Sequence, residues 1–131
     1  MEILAVIPAR SGSKSVVDKN IRLIGGKPML AYSIQHAKDS GIVNRVIVST
    51  DSKKYAEIAR DYGAEVPFLR PAEYATDTAL DIDVFLHALM YLQDREGYVP
   101  DMVVQLRPTY PIRDPQDIGR MVRLLAQHPE A

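Results

Sequence analysis

Between Arg10 and Lys27 the chain carries five basic residues, Arg10, Lys14, Lys19, Arg22 and Lys27, against one acid, Asp18. The net charge of the whole chain is only −1. A local cationic stretch in a near-neutral protein points to a small anionic ligand rather than to nucleic acid or a membrane surface. Within it, Arg10-Ser11-Gly12-Ser13-Lys14-Ser15 directly follows an apolar run. Small residues let backbone N–H groups turn toward an anion, and Gly12 can take conformations closed to other residues. Arg10 and Lys14 bring cationic side chains to the same loop. Lys19 adds a third cation, and Asn20 adds an amide that could read a base or a sugar. Several convergent donors of this kind are what a nucleoside triphosphate requires.

Two familiar phosphate motifs are excluded. A P-loop needs glycine directly before its lysine and another five positions earlier; here those positions hold Ser13 and Pro8. The dinucleotide fingerprint G-x-G-x-x-G is also absent after the first apolar run, which removes the main support for nicotinamide chemistry.

The elements around this loop alternate. Ile3 to Ile7 is continuously apolar and stops at Pro8, as expected of a strand buried on both faces. Pro28 opens a helix through Met29, Leu30, Ser33, Ile34 and Ala37, with Gly41 as its stop. Arg45–Ser49 reads as a second strand. Asp51 or Ser52 caps a helix through Tyr55, Ile58, Ala59 and Tyr62, which Gly63 ends. Glu65–Leu69 is expected to form a third strand. Ile82, Phe85, Leu86, Leu89 and Leu92 mark a longer helix ending near Gly97. Met102–Leu106 is a fourth strand, and Asp114-Pro115 opens a last helix through Ile118, Met121, Val122 and Leu125. This order implies an α/β fold with a mostly parallel sheet and helical crossovers. Ligands of such sheets sit at the carboxyl ends of the strands. Those ends fall at Pro8–Lys19, Ser49–Ser52, Arg70–Asp81 and Gln105–Arg113.

Length and composition fit one soluble domain spanning residues 1–131. Cysteine is absent, which excludes disulfides and thiolate metal sites and fits a reducing cytoplasm. The opening residues resemble no signal peptide, and no apolar run approaches a membrane span. A cytoplasmic protein is expected. His36, His87 and His128 show no ligand spacing: His87 is expected on the polar flank of its helix, His36 and His128 at the surface. Met29, Met90, Met102 and Met121 are expected in the core. Asp77 and Thr78 could cap the following helix. No metal site of the protein's own can be assembled.

Several motifs in order carry a family resemblance. They are Ile7-Pro8-Ala9-Arg10-Ser11-Gly12-Ser13-Lys14, Lys19-Asn20-Ile21, Gly26-Lys27-Pro28-Met29-Leu30, Val48-Ser49-Thr50-Asp51, Leu69-Arg70-Pro71-Ala72-Glu73, Thr76-Asp77-Thr78, and Gln105-Leu106-Arg107-Pro108-Thr109-Tyr110-Pro111-Ile112-Arg113. With these the chain resembles the cytidylyltransferases that activate sialic-acid-like nonulosonates. It departs from their pattern at Ser15–Asp18, where glycine and proline usually follow the lysine, and at Arg107 and Tyr110, where glutamine and serine are usual.

The resemblance implies a three-layer Rossmann-like fold of the nucleotide-diphospho-sugar transferase type, with helices on both faces of the sheet. It implies transfer of CMP from CTP to the anomeric hydroxyl of an acidic nine-carbon sugar, with release of pyrophosphate. Arg10 and Lys14, with the backbone of Ser11, Gly12 and Ser13, would hold the β- and γ-phosphates. Lys19 would bridge to the α-phosphate and, with Arg10, carry catalysis. Asn20 and Arg70 would donate to the cytosine carbonyl; Asp81, or a backbone carbonyl near Ala79 beside Thr78, would accept from its amine. Gln105, Arg107 and Tyr110 would face the sugar, an arginine there suiting a carboxylate. Mg2+ is expected to be held mainly by the CTP phosphates. The acids that the family supplies for it are expected beyond residue 131, in a longer form expected to be a homodimer. Activation of a related 3-deoxy sugar acid (Kdo-like) is the close alternative. A truncated, catalytically incomplete nucleotide-binding fragment is the other.

Overall fold

The apolar run at the start of the chain is the centre of the sheet. In the computed structural model, which describes residues 1–10, 21, 23–76, 81–107 and 115–127, it forms β1 (Ile3–Pro8). Five of its six residues are buried, as a strand covered on both faces requires. β4 (Arg45–Ser49) pairs parallel to one edge of β1, with Leu4 opposite Arg45 and Pro8 opposite Ser49. β5 (Met102–Gln105) pairs parallel to the other edge, with Ile3 opposite Met102 and Val6 opposite Gln105.

The expected third strand, Glu65–Leu69, shortens to a single parallel bridge between Glu65 and Ile47. Glu65 donates to the Val46 carbonyl and accepts from the Val48 amide. The next amide on the same side belongs to Pro67, which has no N–H to continue the ladder. The chain meets the sheet edge again at Arg70, whose amide donates to the Thr50 carbonyl at 2.7 Å.

Alternate residues of β1 enter two different cores. Ile3, Ala5 and Ile7 pack with α1 (Met29–Asp39), α2 (Lys53–Asp61) and α4 (Pro115–Gln127) through Leu30, Ile34, Tyr55, Ala59, Ile118 and Val122. Leu4 and Val6, with Ile47 of β4, pack against Phe68 and against Ala88 and Leu92 of α3 (Asp81–Glu96). The period-two alternation of a strand thus yields the expected three-layer, open Rossmann-like α/β architecture.

Three expectations change. Met90, expected in the core, is 61% exposed, because Val84, Ala88 and Leu92 form the face of α3 that meets the sheet. His87, expected on a polar flank, is half-buried with its ring edge-on to Phe68 at 4.8 Å. His36 is half-buried rather than a surface residue, since α1 is packed between its neighbours. The cap of α2 is Ser52, whose hydroxyl accepts from the Tyr55 amide at 3.2 Å. Met29 and Met102 are half-buried. His128, Asp77 and Thr78 lie outside the described residues, as does the side chain of Met121.

A short antiparallel hairpin also precedes α1. β2 (Leu23–Ile24) pairs with β3 (Lys27–Pro28) across Gly25 and Gly26, at φ 61° and 79°. Positive φ at both central residues is what a two-residue hairpin turn demands, and glycine meets it without strain.

Candidate functional site

The strand order fixes where a ligand crevice lies. The chain runs from β1 outward to β4 and the Glu65 bridge, then returns to the opposite flank of β1 as β5. That reversal is the switch point of the sheet, and ligands of such sheets sit in the carboxyl-end crevice at that point, here between β1 and β5. Arg10 lies two residues beyond the end of β1, and Gln105 is the last residue of β5, two before Arg107. The structure therefore places Arg10 on one side of the switch point and Gln105 and Arg107 on the other. Arg10 and Gln105 are half-buried and Arg107 is exposed.

Backbone bonds hold the rim. The Ala9 amide donates to the Ser49 carbonyl at 2.9 Å, and the Leu106 amide donates to the Val6 carbonyl at 3.2 Å. These continue the sheet one residue past each strand and fix the starting direction of both loops. On the β5 side the Ser33 hydroxyl of α1 donates to the Arg107 carbonyl at 3.2 Å. Thr50 is fully buried, and its Oγ1 accepts from the Ser52 amide at 3.2 Å.

Arg70 is buried and bonded on several sides. It is 5% exposed. Its Nε donates to the Ser49 hydroxyl at 3.0 Å, Nη2 to the Ser49 carbonyl at 2.6 Å, and Nη1 to the Tyr74 carbonyl at 3.2 Å. Tyr74 ends a single turn of 3-10 helix, Ala72–Tyr74. A buried guanidinium must have its donors met, and its planar fork suits two acceptors on one residue. Arg70 thereby ties the segment after Phe68 to the end of β4. Because the Ser49 carbonyl also accepts from Ala9, the same node touches the start of the phosphate loop. Arg70, for which the sequence led to the expectation of a base contact, is seen to brace three strand-end segments.

The charge of Arg70 is felt next door. Burial first, and Arg70 second, hold the His87 imidazole below its ordinary pKa, with Glu73 opposing. The Tyr74 ring also lies 5.6 Å from that of His87, tilted by 43°. Neither contact was readable from spacing, since His87 and Arg70 belong to different elements.

Lys27, counted among the cations of the sequence, turns toward α1: its Nζ donates to Gln35 Oε1 and lies 5.2 Å from the Tyr32 ring centroid. Ser11, Gly12, Ser13, Lys14, Lys19, Asn20, Thr78, Ala79 and Tyr110 lie outside the described residues. Asp81 is the first residue of α3, and only its backbone is described. Among the described residues, no three His, Asp or Glu side chains group as a metal site. No described helix is long and apolar enough to cross a membrane.

The opposite, amino end of the sheet is built for stability. Arg45 forms a two-pronged pair with Glu65, at 2.9 and 2.7 Å, reaches Glu96 at 3.1 Å, and lies 4.5 Å from the Tyr98 ring centroid. Tyr98 donates to Glu2 Oε2 at 2.7 Å. The hydrogen bond from Arg45 holds the Glu65 carboxyl below its usual range. Burial and the Glu2 carboxylate push the Tyr98 phenol upward.

Comparison with known proteins identifies the family and the fold. Residues 4–131 match the family model described as Cytidylyltransferase. The chain is 44% identical over 124 residues to a CMP-N,N'-diacetyllegionaminic acid synthase of Legionella pneumophila, covering 95% of this chain and 53% of that protein. It is 44% identical over 123 residues to an N-acylneuraminate cytidylyltransferase of Escherichia coli, covering 94% of this chain and 28% of that one. The chain thus spans about half, or less, of the length of these curated relatives. Among solved structures, a cytidylyltransferase from Leptospira borgpetersenii superposes with a TM-score of 0.72 at 26% identity, over 95% of this chain and 48% of that one. A CMP:2-keto-3-deoxy-manno-octonic acid synthetase complexed with CTP gives a TM-score of 0.82 at 22% identity, over 98% and 49%, a likeness of fold.

Proposed function

The chain belongs to the cytidylyltransferase family, and from that premise we propose that it serves transfer of CMP from CTP to the anomeric hydroxyl of an acidic nine-carbon sugar. The observation that carries this reading is the switch-point crevice, with Arg10 at the β1 side and Gln105 and Arg107 at the β5 side. The names of its curated relatives, acting on legionaminic and neuraminic acids, favour a nine-carbon substrate over a shorter one.

In the proposed reaction the sugar hydroxyl oxygen bonds to the α-phosphorus and loses its proton. The bond from that phosphorus to the bridging oxygen breaks, and pyrophosphate leaves with the electron pair. Catalysis of this kind is positioning plus neutralisation of the charge that moves onto the leaving group. Arg10, Lys14 and the N–H groups of Ser11, Gly12 and Ser13 would take the β- and γ-phosphates. Lys19 would take the α-phosphate. Asn20 and Arg70 would donate to the cytosine carbonyl, Arg70 while also bracing the wall through Ser49 and Tyr74. Asp81, or a carbonyl near Ala79, would accept from the cytosine amine. A wrong base would leave these polar groups unpaired, which is a strong source of selectivity. Arg107 would pair with the sugar carboxylate.

Magnesium would be held mainly by the triphosphate, since it binds through phosphate oxygens and few carboxylates and the described residues offer no cluster of three acids. It would supply charge neutralisation on the phosphates. A cytoplasmic location and a homodimer in the longer form belong to the same proposal.

The test is pyrophosphate release from CTP with magnesium and a panel of eight- and nine-carbon sugar acids. It is run on this chain and on the longest reading frame that carries it. Release with a nine-carbon acid supports the reading; release with eight-carbon acids alone, or with none, contradicts it.

A further inference from the structure

Ser33 stands out among the residues of α1 that face the core. Its neighbours on that face are Leu30, Ala31, Ile34 and Ala37, all fully buried, and Ser33 itself is fully buried. A buried hydroxyl without a partner is costly. A serine within a helix commonly meets this by bonding back to the carbonyl four residues earlier. Here the hydroxyl reaches across to the carbonyl of Arg107, 74 residues away in sequence. Arg107 directly follows Leu106, whose amide ties the β5 side to the sheet through the Val6 carbonyl. The Ser33 bond therefore carries the hold of the fold one residue further, to the point where the chain leaves the sheet beside the crevice.

We propose that Ser33 is a positioning residue for the sugar side of the site, fixing the Arg107 backbone from α1 so that its guanidinium meets the substrate carboxylate. The proposal rests on the functional reading above for the identity of that carboxylate. The anchoring of Arg107 itself does not depend on it. A hydrogen bond from a side chain in the helical layer to the strand-end loop makes the sugar side depend on α1 packing. The nucleotide side is held separately, through Ser49 and Arg70. Loss of the Ser33 hydroxyl should thus act on one substrate and spare the other.

The discriminating pair is Ser33→Thr and Ser33→Val. Their side chains have the same shape and differ in a hydroxyl against a methyl, so overpacking affects both alike. Amide hydrogen exchange on this chain reads the anchoring directly. Leu106 in Ser33→Val should exchange about tenfold faster than in Ser33→Thr, with Val48, whose amide bonds to Glu65, as the internal reference. Equal Leu106 exchange in the two variants would overturn the proposal. In the longest reading frame, Ser33→Val should raise KM for the sugar acid about tenfold over Ser33→Thr, with KM for CTP unchanged. Equal rises in both constants, or none, would mean that Ser33 is only a packing residue. If the unsubstituted protein turned over no sugar acid, the functional reading would fail, while the exchange result would still decide the anchoring.

Discussion

The guanidinium of Arg70 grips both polar groups of Ser49, its hydroxyl at 3.0 Å through Nε and its carbonyl at 2.6 Å through Nη2. The Ser49 carbonyl accepts the Ala9 amide as well, so the residue before Arg10 and the segment after Phe68 meet at one oxygen. Lysine cannot replace this arrangement, because an ammonium is a point charge without the planar fork. Arg70→Lys is expected to lower stability by about 2 kcal/mol, the scale of hydrogen bonds to a charged group lost in a buried site. Urea denaturation measures it. A change under about 0.5 kcal/mol, the ordinary range for surface substitutions, would mean that Arg70 does not brace the rim.

The Arg45 cluster should behave in the opposite way. It sits at the amino end of the strands, and the Glu65 side chain is 49% exposed, so solvent screens the pair. Arg45→Met is expected to cost about 1 kcal/mol of stability, less in high salt, and to leave nucleotide affinity unchanged. Calorimetric titration of the variant with CTP checks the second half. A large loss of affinity would show that the two ends of the sheet are coupled.

His87 gives a pH dependence with a definite sign. Burial, and then the Arg70 charge, lower its folded pKa, so the unfolded chain, titrating near about 6.5, binds the proton more readily. The stability that neutral His87 permits is fully present above that unfolded value. It is lost as pH falls through it, levelling off below the folded pKa. Glu65, also lowered, acts in the same direction at more acid pH. Melting temperatures between pH 7.5 and 5 should therefore fall more steeply for the native chain than for His87→Gln. Parallel slopes would contradict the assignment.

Lys19 is the proposed α-phosphate ligand. Lys19→Ala in the longest reading frame should reduce turnover by about 10²–10³, as loss of one transition-state donor does elsewhere. Its thermal stability should change little, since a lysine with no expected core position contributes little to packing. An unchanged rate would reduce Lys19 to a solvated charge.

The parts of the fold that sequence revealed are those whose causes are local. Ile3–Ile7 and Arg45–Ser49 are apolar enough to be strands buried on both faces, and each is one. Glu65–Leu69 matches Arg45–Ser49 in apolar content, but Pro67 withholds the one amide the ladder needed next. On α3 the apolar stripe was visible, yet periodicity could not say which flank docks. Val84, Ala88 and Leu92 meet the sheet, leaving Ile82, Leu86 and Met90 exposed and turning His87 inward. The hairpin at Gly25-Gly26 has arms of two residues, too short to show alternation; the paired glycines were its only signal. At the site, residue type and order placed Arg10 and Arg107 just beyond strand ends and Gln105 at the end of its strand. What Arg70 and Ser33 hold was not legible, because their partners lie 21 and 74 residues away and only the folded sheet brings them together.

A carboxyl-end crevice that recognises a cytidine triphosphate must select its base, so base selectivity decides the proposed function. Titration calorimetry of this chain with CTP, UTP and ATP, each with magnesium, reads it without requiring turnover. Asn20, Arg70 and Asp81 together offer a donor–acceptor set matched to cytosine, so CTP should bind more tightly than UTP and ATP. The expected margin is about tenfold or more, the effect of leaving one buried polar group unpaired. Equal affinities for all three nucleotides, or tighter binding of ATP, would contradict the assignment.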